Sequence, residues 1–468
     1  MSNLTTSTPD VAALEQELRG TLVRPSDAEY DTARSVWNGM IDRRPAVIVR
    51  CAGAADVIAG LHFAREHDLV VAVRGGGHNV AGFGTCDDGV VLDLSAMQEI
   101  RVDPRLETAR AGGGVLWSEF DQETQAFGLA TTGGLVSTTG IAGFTLGGGI
   151  GWLMRKHGLA CDNLVSADVV TADGRVLTAS TVDNEDLFWG LRGGGGNFGV
   201  VTSFEFRLHR VGPIVFGGAL FYPLAQAAEL LGFYREWAPT LPDELTTMIA
   251  FLTAPPLPFI PEAQQGTKMV ALALCFVGPT DEGEAMIAPL RAVLEPAAEQ
   301  VGPLPYRMLQ GMFDASVPHG IHSYWKTEHL DELEDGAIDV AVAAAEAAAS
   351  PMSQLHIHHI EGAVARGGAE NSAFGRRDSR YIVNTIGIWT EPEFADGEIA
   401  NARSATAAFH EFSSGGAYLN FFDADEGDER IRAAYGPDKY ERLVALKDRY
   451  DPGNVFRLNQ NIKPSAAA

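Results

Sequence analysis

Basic residues are scarce in this sequence. Its 468 residues include 35 lysines and arginines against 61 aspartates and glutamates, which gives a formal net charge of −26. Because nucleic acids and anionic membranes are bound through basic surfaces, we expect neither as a partner. No apolar run approaches the ~20 residues that a membrane span requires. The N-terminus also lacks the basic segment and apolar core of a secretory signal, so a cytoplasmic location is expected.

Cysteine is also rare, with four residues, Cys51, Cys86, Cys161 and Cys275. No two of them have the C-x-x-C spacing of a metal site, and we expect no metal ion. The four thiols are predicted to be reduced and mostly buried. No pattern in the sequence sets the oligomeric state.

Glycine, in contrast, is abundant, and most of the excess lies in three loops. The first loop follows an apolar strand in VVAVRGGGHNVAGFG, from Val70 to Gly84. Because Gly75, Gly76 and Gly77 carry no Cβ, the backbone can turn sharply and bring its N–H groups close to an anion such as a pyrophosphate. His78 stands at the end of this loop, where its side chain could touch the same ligand.

A single glycine loop has an ordinary alternative explanation, since glycines also fill hairpin turns. Two further loops make that alternative less favoured, GGLVSTTGIAGFTLGGGIG at 133–151 and WGLRGGGGNFGVVT at 189–202. Three such segments predict one long ligand that is contacted along its length. A nicotinamide dinucleotide is not favoured, because the G-x-G-x-x-G fingerprint of a Rossmann fold is absent from a strand, turn, helix context.

Four motifs in order and spacing carry a resemblance to a known family. They are RGGGHN, TLGGGIGWLMRKHGLACDNL, DLFWGLRGGGGNFGVVTSFEF, and AYLNFFD with KDRYDPGNVFRLNQNI, within residues 40–212 and 415–464. The chain resembles the FAD-linked oxidoreductases of the vanillyl-alcohol-oxidase superfamily, in the branch with a p-cresol-methylhydroxylase-type FAD domain and a berberine-bridge-enzyme-like C-terminus.

The resemblance implies an α+β fold with two domains. An FAD-binding domain is expected at 1–212, a substrate domain at 213–417, and a berberine-bridge-like segment at 418–468 that returns to the FAD domain. The substrate domain is expected to contain a large, mostly antiparallel sheet with helices on one face and the flavin under the other. The Pro-rich piece TAPPLPFIP, Thr253 to Pro261, is predicted to be a surface loop.

The resemblance also implies how FAD is held. His78 occupies the position of a histidine that is bonded covalently to the 8α carbon of the flavin. Val136 stands where many relatives have a second, cysteinyl link, so a single attachment is expected. The other positions that match cofactor contacts are Arg74, Gly75, Gly76, Gly77, Asn79, Thr138, Thr139, Gly143, Gly148, Val201, Asn420 and Asn459.

Three residues are candidates for handling a substrate proton. Tyr418 matches a tyrosine that relatives place over the flavin, as hydrogen-bond partner or base. His356 and His358 have the period-two spacing that puts them on one face of a strand, with His359 on the other. The alternative for the histidine pair is a sheet face exposed to solvent.

Less favoured candidates lie nearby in the sequence. Tyr381 is expected to belong to a hydrophobic core. Arg376, Arg377 and Arg380 could meet an acidic substrate, although arginines usually pair with acidic side chains of their own chain.

Three hypotheses of function remain open at this point. The first is an oxidase that takes hydride from a CH–OH or CH–N carbon of a small molecule, with dioxygen as electron acceptor and hydrogen peroxide as product. The second is a dehydrogenase with another acceptor, and relatives use the position of Thr139 to govern oxygen access. The third is a flavoprotein that sequesters a small molecule without catalysis. No motif names the substrate.

Overall fold

The computed structural model describes residues 11–467 of the chain. The strands are β1 (Thr21–Val23), β2 (Val47–Arg50), β3 (Val71–Arg74), β4 (Val90–Asp93), β5 (Ile100–Asp103), β6 (Thr108–Gly112), β7 (Leu129–Ala130), β8 (Leu164–Val170), β9 (Val176–Ser180), β10 (Val200–Arg207), β11 (His209–Arg210), β12 (Ile214–Pro223), β13 (Leu245–Thr253), β14 (Lys268–Phe276), β15 (Ala298–Pro305), β16 (His322–Leu330), β17 (Gln354–His359) and β18 (Tyr381–Trp389).

Helices alternate with these strands along the chain. The α-helices are α1 (Ala12–Glu17), α2 (Tyr30–Arg34), α3 (Ala54–Glu66), α4 (Trp117–Gln125), α5 (Ile141–Leu146), α6 (Met154–His157), α7 (Glu185–Leu191), α8 (Ala227–Trp237), α9 (Gly283–Val293), α10 (Tyr306–Gln310), α11 (Asp335–Ala347), α12 (Ala363–Arg366), α13 (Ala395–Phe409), α14 (Asp428–Tyr435) and α15 (Pro437–Tyr450).

The first sheet delivers the histidine loop. Its strand order is β1-β2-β4-β3, and β4 pairs in parallel with both β2 and β3. The sequence predicts a strand, helix, strand unit from PAVIVRC, a helix at Ala54 to Glu66, and LVVAVRG. The unit is confirmed, and α3 makes the crossover that parallel strands require. The two strands of that unit are separated by β4 rather than paired with each other. Val57 and Leu61 of α3 share a buried core with Val49 and Leu92 of the sheet, which holds the crossover helix on the strands.

The second sheet has the order β5-β6-β10-β8-β9 and positions the other two glycine loops. The sequence LVSADVVTADGRVLTAS predicts a hairpin with Asp173 and Gly174 at its turn. The antiparallel pair β8 and β9 confirms it, and Gly174 has φ +85° in the turn. That backbone conformation favours glycine because it is strained for residues with a Cβ. The second glycine loop surrounds the short helix α5, and the third connects α7 to β10.

The third sheet is the large antiparallel one, with seven strands in the order β15-β12-β14-β13-β17-β18-β16. Helices α8, α9, α11 and α13 cover one of its faces, where Leu231, Tyr234, Ile338 and Phe409 join a single buried core with side chains of the strands. The opposite face turns toward the glycine loops. The α+β fold and the antiparallel sheet that the sequence predicted are therefore confirmed.

The C-terminal helices return to the first part of the chain. Tyr440, Leu443 and Leu446 of α15 lie in the same core as Trp189 and Phe198, on either side of the third glycine loop. The unit that holds the glycine loops is thus built from two separate stretches of sequence.

One element differs from the sequence-based expectation. The sequence predicts an N-terminal helix from Val11 to Leu22, but α1 ends at Glu17 and Leu22 lies in β1. The carboxylate of Asp56 accepts hydrogen bonds from the N–H groups of Arg19 and Gly20, at 2.9 and 3.0 Å. These bonds hold the chain in the extended path that leads into β1. Among residues 11–467, no helix is long and apolar enough to cross a membrane.

Candidate active site

A cavity of about 300 Å³ lies where the glycine loops meet the large sheet. Residues from all three loops line one side of it, and residues of β16, β17 and β18 line the other. The loop side includes Gly75, Gly76, Gly77, His78, Asn79, Thr139, Gly143, Gly196 and Val201, and the sheet side includes Trp325, Gln354, His356, His358, Asn384 and Ile386.

The first two glycine loops pack directly against each other. A Cβ added to Gly76 would lie 2.5 Å from the backbone N of Gly140, and one added to Gly140 would lie 2.4 Å from the N of Gly76. A Cβ on Gly75 would lie 2.9 Å from the carbonyl oxygen of Gly113. Glycine is required at these positions because two backbones approach more closely than side chains allow.

The first loop offers free backbone donors to the cavity. The N–H groups of Gly76, Gly77, His78 and Asn79 donate to no other residue that the structure describes, although the carbonyl of Gly77 accepts from Trp37 N. Gly77 has φ +69°, the left-handed conformation that turns successive N–H groups to one side. This segment has the features of an anion-binding nest.

His78 is fixed at the mouth of this nest by two contacts. Its Nε2 lies 2.9 Å from Thr138 Oγ1, and its ring stacks on Trp37 with centroids 5.1 Å apart and planes at 17°. Burial, with a smaller contribution from the nearby His319, lowers the pKa of His78 to about 4. The ring is therefore neutral at physiological pH and has a nitrogen lone pair available for bonding.

Arg74 and Asn79 support the loop from both ends. Arg74 Nη2 donates to Asp93 Oδ2 at 2.8 Å in a buried ion pair that joins the ends of β3 and β4. Asn79 Oδ1 accepts from Phe83 N at 3.0 Å and closes the turn after His78. Both predicted residues line the cavity, but their side chains are engaged in holding the loop.

Tyr418 lies at the junction of the loops and the sheet, as predicted. Its hydroxyl oxygen accepts hydrogen bonds from Gly149 N at 3.1 Å, Ile150 N at 3.2 Å and Asn420 Nδ2 at 2.8 Å. Burial raises the pKa of Tyr418, while these three bonds lower it, and the net direction is upward. The side chain is 1% exposed. Tyr418 is therefore protonated at neutral pH, and its oxygen already has its full set of donors.

The remaining predicted cofactor residues divide into two groups. Asn420 and Asn459 line the cavity, and Asn459 Oδ1 is buried without a hydrogen-bond partner among the described residues. A Cβ on Gly143 would meet nothing within 4 Å, because this glycine faces open space in the cavity. Gly148 does not line the cavity: it has φ +115°, and a Cβ there would lie 2.5 Å from Phe374. A glycine is therefore required at position 148 by packing against Phe374, and the neighbouring Gly147 is the residue that lines the cavity.

His356 and His358 point into the cavity, so the alternative of a solvent-exposed face is wrong. His356 Nε2 lies 2.7 Å from Gln354 Oε1, which can only accept, so His356 carries its proton on Nε2 and has Nδ1 free as an acceptor. Burial lowers the pKa of His356 to about 4 and that of His358 well below its ordinary value. Both rings are neutral at physiological pH.

The other candidates lie outside the cavity. Tyr381 is fully buried on the helix-covered face of the sheet, with Tyr234 and His359 as ring neighbours. The three arginines pair with acidic side chains, as the usual behaviour of arginine predicts: Arg376 with Asp331 and Asp378, Arg377 with Asp162, and Arg380 with Glu332 and Glu361. All four cysteines are buried and unpaired.

Several cavity residues were missed from the sequence. Gln354 precedes His356 by two positions, so the same period-two argument could have found it. Trp37, in the loop after α2, and Trp325, in β16, also line the cavity. Both are far from the glycine motifs in the sequence, and no pattern in their neighbouring residues predicts a site. Asn384 lies in β18, a strand whose residues are all buried, and an amide side chain in such a strand is itself a signal of a site.

We expect Gly76→Ala to weaken cofactor retention. The added Cβ must push the two glycine loops apart, and overpacking of this kind costs about 1–3 kcal/mol. The flavin-to-protein absorbance ratio and the melting temperature should both fall. Gly232→Ala in α8 is the matched control, since a Cβ there meets nothing within 4 Å. Normal flavin content in Gly76→Ala would show that the close approach of the loops is dispensable.

A second prediction concerns acid stability. Burial lowers the pKa of seven histidines, so the unfolded chain binds more protons than the folded one as the pH falls from about 6.5 toward 4. They are His78, His157, His209, His329, His356, His358 and His359. The full free energy of unfolding is therefore present above the pKa that histidine has in the unfolded chain, about 6.5. Below that pH the free energy of unfolding decreases, by up to about 1.4 kcal/mol per pH unit for each histidine.

Melting temperatures at pH 7.5 and pH 5 test this prediction, and the value should fall steeply. His329→Leu should reduce the slope, because both ring nitrogens of His329 are buried without partners. His410→Gln is the control, since its side chain is 70% exposed. A melting temperature that is independent of pH in this window would contradict the assignment of neutral buried histidines.

Comparison with known proteins agrees with this geometry. Residues 45–180 match the family described as FAD binding domain, and residues 417–463 match the family described as berberine and berberine like. An FAD-linked oxidoreductase of Dictyostelium discoideum is 31% identical over 454 residues, covering 96% of each chain. The (R)-6-hydroxynicotine oxidase of Paenarthrobacter nicotinovorans is 30% identical over 462 residues, covering 96% of this chain and 98% of that protein.

The fold comparison gives the same result. The crystal structure of 6-hydroxy-D-nicotine oxidase from Arthrobacter nicotinovorans superposes with a TM-score of 0.86 at 28% identity, covering 99% of this chain and 100% of that one. The fold and the cavity define an FAD-dependent oxidoreductase of the p-cresol-methylhydroxylase type. The chain belongs to the berberine-bridge-enzyme-like family of FAD-linked oxidoreductases.

The cavity residues fit FAD on physical grounds as well. The loop of Gly76 to Asn79 supplies free N–H donors for a pyrophosphate, and Gly143 leaves space that any side chain would fill. Asn459 presents an unpaired oxygen. No aspartate or glutamate is among the residues that line the described cavity, so the negative charges of a dinucleotide meet no carboxylate. Within residues 11–467, no cluster of histidine, cysteine and acidic side chains could hold a metal ion.

Proposed function

We propose that the protein oxidises a CH–OH or CH–N carbon of a small-molecule substrate, with FAD attached through His78 and dioxygen as the electron acceptor. The observation that carries the proposal is the cavity itself. Its lining brings together the neutral ring of His78 from the first glycine loop and the neutral rings of His356 and His358 from the large sheet. FAD, when bound, accepts the hydride that leaves the substrate carbon.

The protein must also remove one proton from the substrate hydroxyl or amine. We assign this step to His356 Nδ1, because Gln354 Oε1 fixes the proton of the ring on Nε2. A base that takes the proton as hydride departs contributes about 10² to 10⁴ in rate. His358 and Tyr418, which line the same cavity, are 3% and 1% exposed.

Tyr418 has a different proposed part in the same step. Its raised pKa keeps the phenol protonated, and three N–H donors occupy its oxygen. A protonated phenol cannot accept a proton, but it can donate its own in a hydrogen bond. We therefore propose that Tyr418 is a hydrogen-bond donor near the reacting atoms, and that the base is His356.

Attachment of FAD is proposed to be single. Val136 lines the cavity, and valine has no atom that can form a thioether. The buried thiols of Cys86 and Cys161 have pKa values raised by burial, which disfavours the thiolate that such a bond requires. Support for dioxygen as acceptor comes from the oxidase among the relatives, and Thr139 lines the cavity where access of oxygen would be set.

An anaerobic substrate screen tests the proposed function. Purified protein is mixed with a panel of aromatic alcohols, amines and oligosaccharides while the flavin absorbance is followed. Bleaching by at least one member, with recovery of absorbance and formation of peroxide when air is admitted, is the expected result. A flavin that remains oxidised with every compound, yet is reduced by dithionite, would contradict the proposal and favour sequestration.

A further inference from the structure

Asn384 lies at the centre of the sheet wall of the cavity, and its amide has no partner. In the register of the sheet it lies between His356 of β17 and Thr327 of β16. Its side chain is 1% exposed, and both Oδ1 and Nδ2 lack a hydrogen bond to any residue that the structure describes. Thr327 Oγ1 is not available, because it donates to the carbonyl of Val383 at 2.8 Å.

An unpaired buried amide is unfavourable for folding, because both its donor and its acceptor have lost water without replacement. Asn38, which is equally buried, shows the usual arrangement. Its Nδ2 donates to the carbonyls of Val80 and Ser323, both at 2.8 Å, and its Oδ1 accepts from two backbone N–H groups. The unpaired amide of Asn384, at a cavity wall, is the arrangement expected where a ligand completes the hydrogen bonds.

The surroundings of Asn384 define the charge of that ligand. His358, on the same wall, has an Nε2 that is also buried without a partner among the described residues. The charged side chain on the cavity lining is Arg74, and Asp93 pairs with it. A charged ligand would therefore lose its water near Asn384 without gaining an opposite charge, which is strongly unfavourable.

Aromatic rings that line the same cavity as Asn384 define the shape of the ligand. Trp325 and Phe421 lie edge to face at 5.2 Å between centroids, and Phe421 lies 5.7 Å from the ring of His358. Phe313 lies 6.1 Å from the ring of His356 on the other side. Ring faces and edges at these spacings favour a flat aromatic group over a flexible aliphatic one.

We propose that Asn384 is a specificity-determining residue that binds an uncharged aromatic substrate through a hydroxyl or amide group. Its Nδ2 donates to the oxygen of that group, its Oδ1 accepts from the O–H or N–H, and His358 Nε2 provides a third hydrogen-bonding atom. The inference rests on the proposed function for the orientation of the substrate toward the flavin. It adds the chemical class of substrate and the residue that selects it.

The test compares Asn384→Leu with Thr385→Val in the flavin-loaded protein. Thr385 is the next residue of β18 on the opposite face, and its Oγ1 is also buried without a partner among the described residues. Both substitutions keep the number and branching of the side-chain heavy atoms and remove an unpaired polar group. We expect both to raise the melting temperature by about 1–3 °C. A lower melting temperature for Asn384→Leu would show a structural role and overturn the proposal.

Binding is measured with three probes of one shape, benzyl alcohol, benzylammonium and benzoate, through the change that each causes in flavin absorbance. The wild type should bind benzyl alcohol most tightly. Asn384→Leu should weaken that binding about 10- to 100-fold, and Thr385→Val should leave it unchanged. Asn384→Asp should shift the preference toward benzylammonium, because a carboxylate then faces the ligand.

Two results would overturn the inference. They are equal binding of the three probes by the wild type, and unchanged benzyl alcohol binding in Asn384→Leu. Because the absorbance change needs bound flavin but no turnover, the binding result stands even if the proposed oxidation fails. Conversely, turnover of a charged substrate in the anaerobic screen would support the proposed function and contradict this inference.

Discussion

Wild-type protein is expected to keep its flavin through acid precipitation, and His78→Ala is expected to release all of it. The imidazole is neutral because burial lowers its pKa to about 4, and Trp37 and Thr138 hold the ring in one orientation. A neutral, fixed ring at the end of the anion-binding loop is suited to a covalent bond with the cofactor. The measurement is the absorbance of the washed and redissolved pellet.

The control for this experiment is His319→Ala. His319 is exposed and close enough to His78 to affect the pKa of His78. It is not one of the residues that line the described cavity. Its pellet should remain as yellow as the wild type. A colourless wild-type pellet with all flavin in the supernatant would refute covalent attachment and leave non-covalent FAD binding intact.

The second large effect is expected at His356. Replacement by leucine removes the proton acceptor, so the rate of anaerobic flavin reduction should fall by about 10² to 10⁴. Covalent flavin and the melting temperature should be retained, since His356 makes its hydrogen bond with Gln354 alone among side chains of the described chain. Rapid mixing of each variant with a substrate from the screen gives the rate.

Comparing Tyr418→Phe with His356→Leu shows which residue is the base and which is the hydrogen-bond donor. Loss of one donor to developing charge costs about 10² to 10³ in rate, and the substitution also leaves the N–H groups of Gly149 and Ile150 without their acceptor. A smaller rate effect than that of His356→Leu, together with lower stability, is expected. The reverse order of rates would assign the base to Tyr418.

Much of this architecture could be predicted from the sequence because local physics determines it. The glycine loops need residues without a Cβ, as the contact between Gly76 and Gly140 shows. Strands and helices such as β3, α3 and β18 have regular apolar patterns. The period-two spacing of His356 and His358 placed both on one face, and the structure confirms that placement.

The remainder depends on contacts between distant segments. The sequence could not reveal that Trp37 stacks on His78, or that Asn384 lies beside His356, because those pairs form only when the sheet register and the loop packing are complete. For Gly148 the sequence predicted a contact with the cofactor, but Gly148 does not line the described cavity. Its glycine was assigned to the cofactor, but the reason for it is a positive φ and the close approach of Phe374.

The most direct test of the central claim is the intact mass of the purified protein under denaturing conditions. We expect the mass of the polypeptide plus one FAD, with the added mass lost in His78→Ala. A polypeptide without any addition, one that carries a flavin other than FAD, or one that retains the flavin in His78→Ala would refute the attachment of FAD through His78.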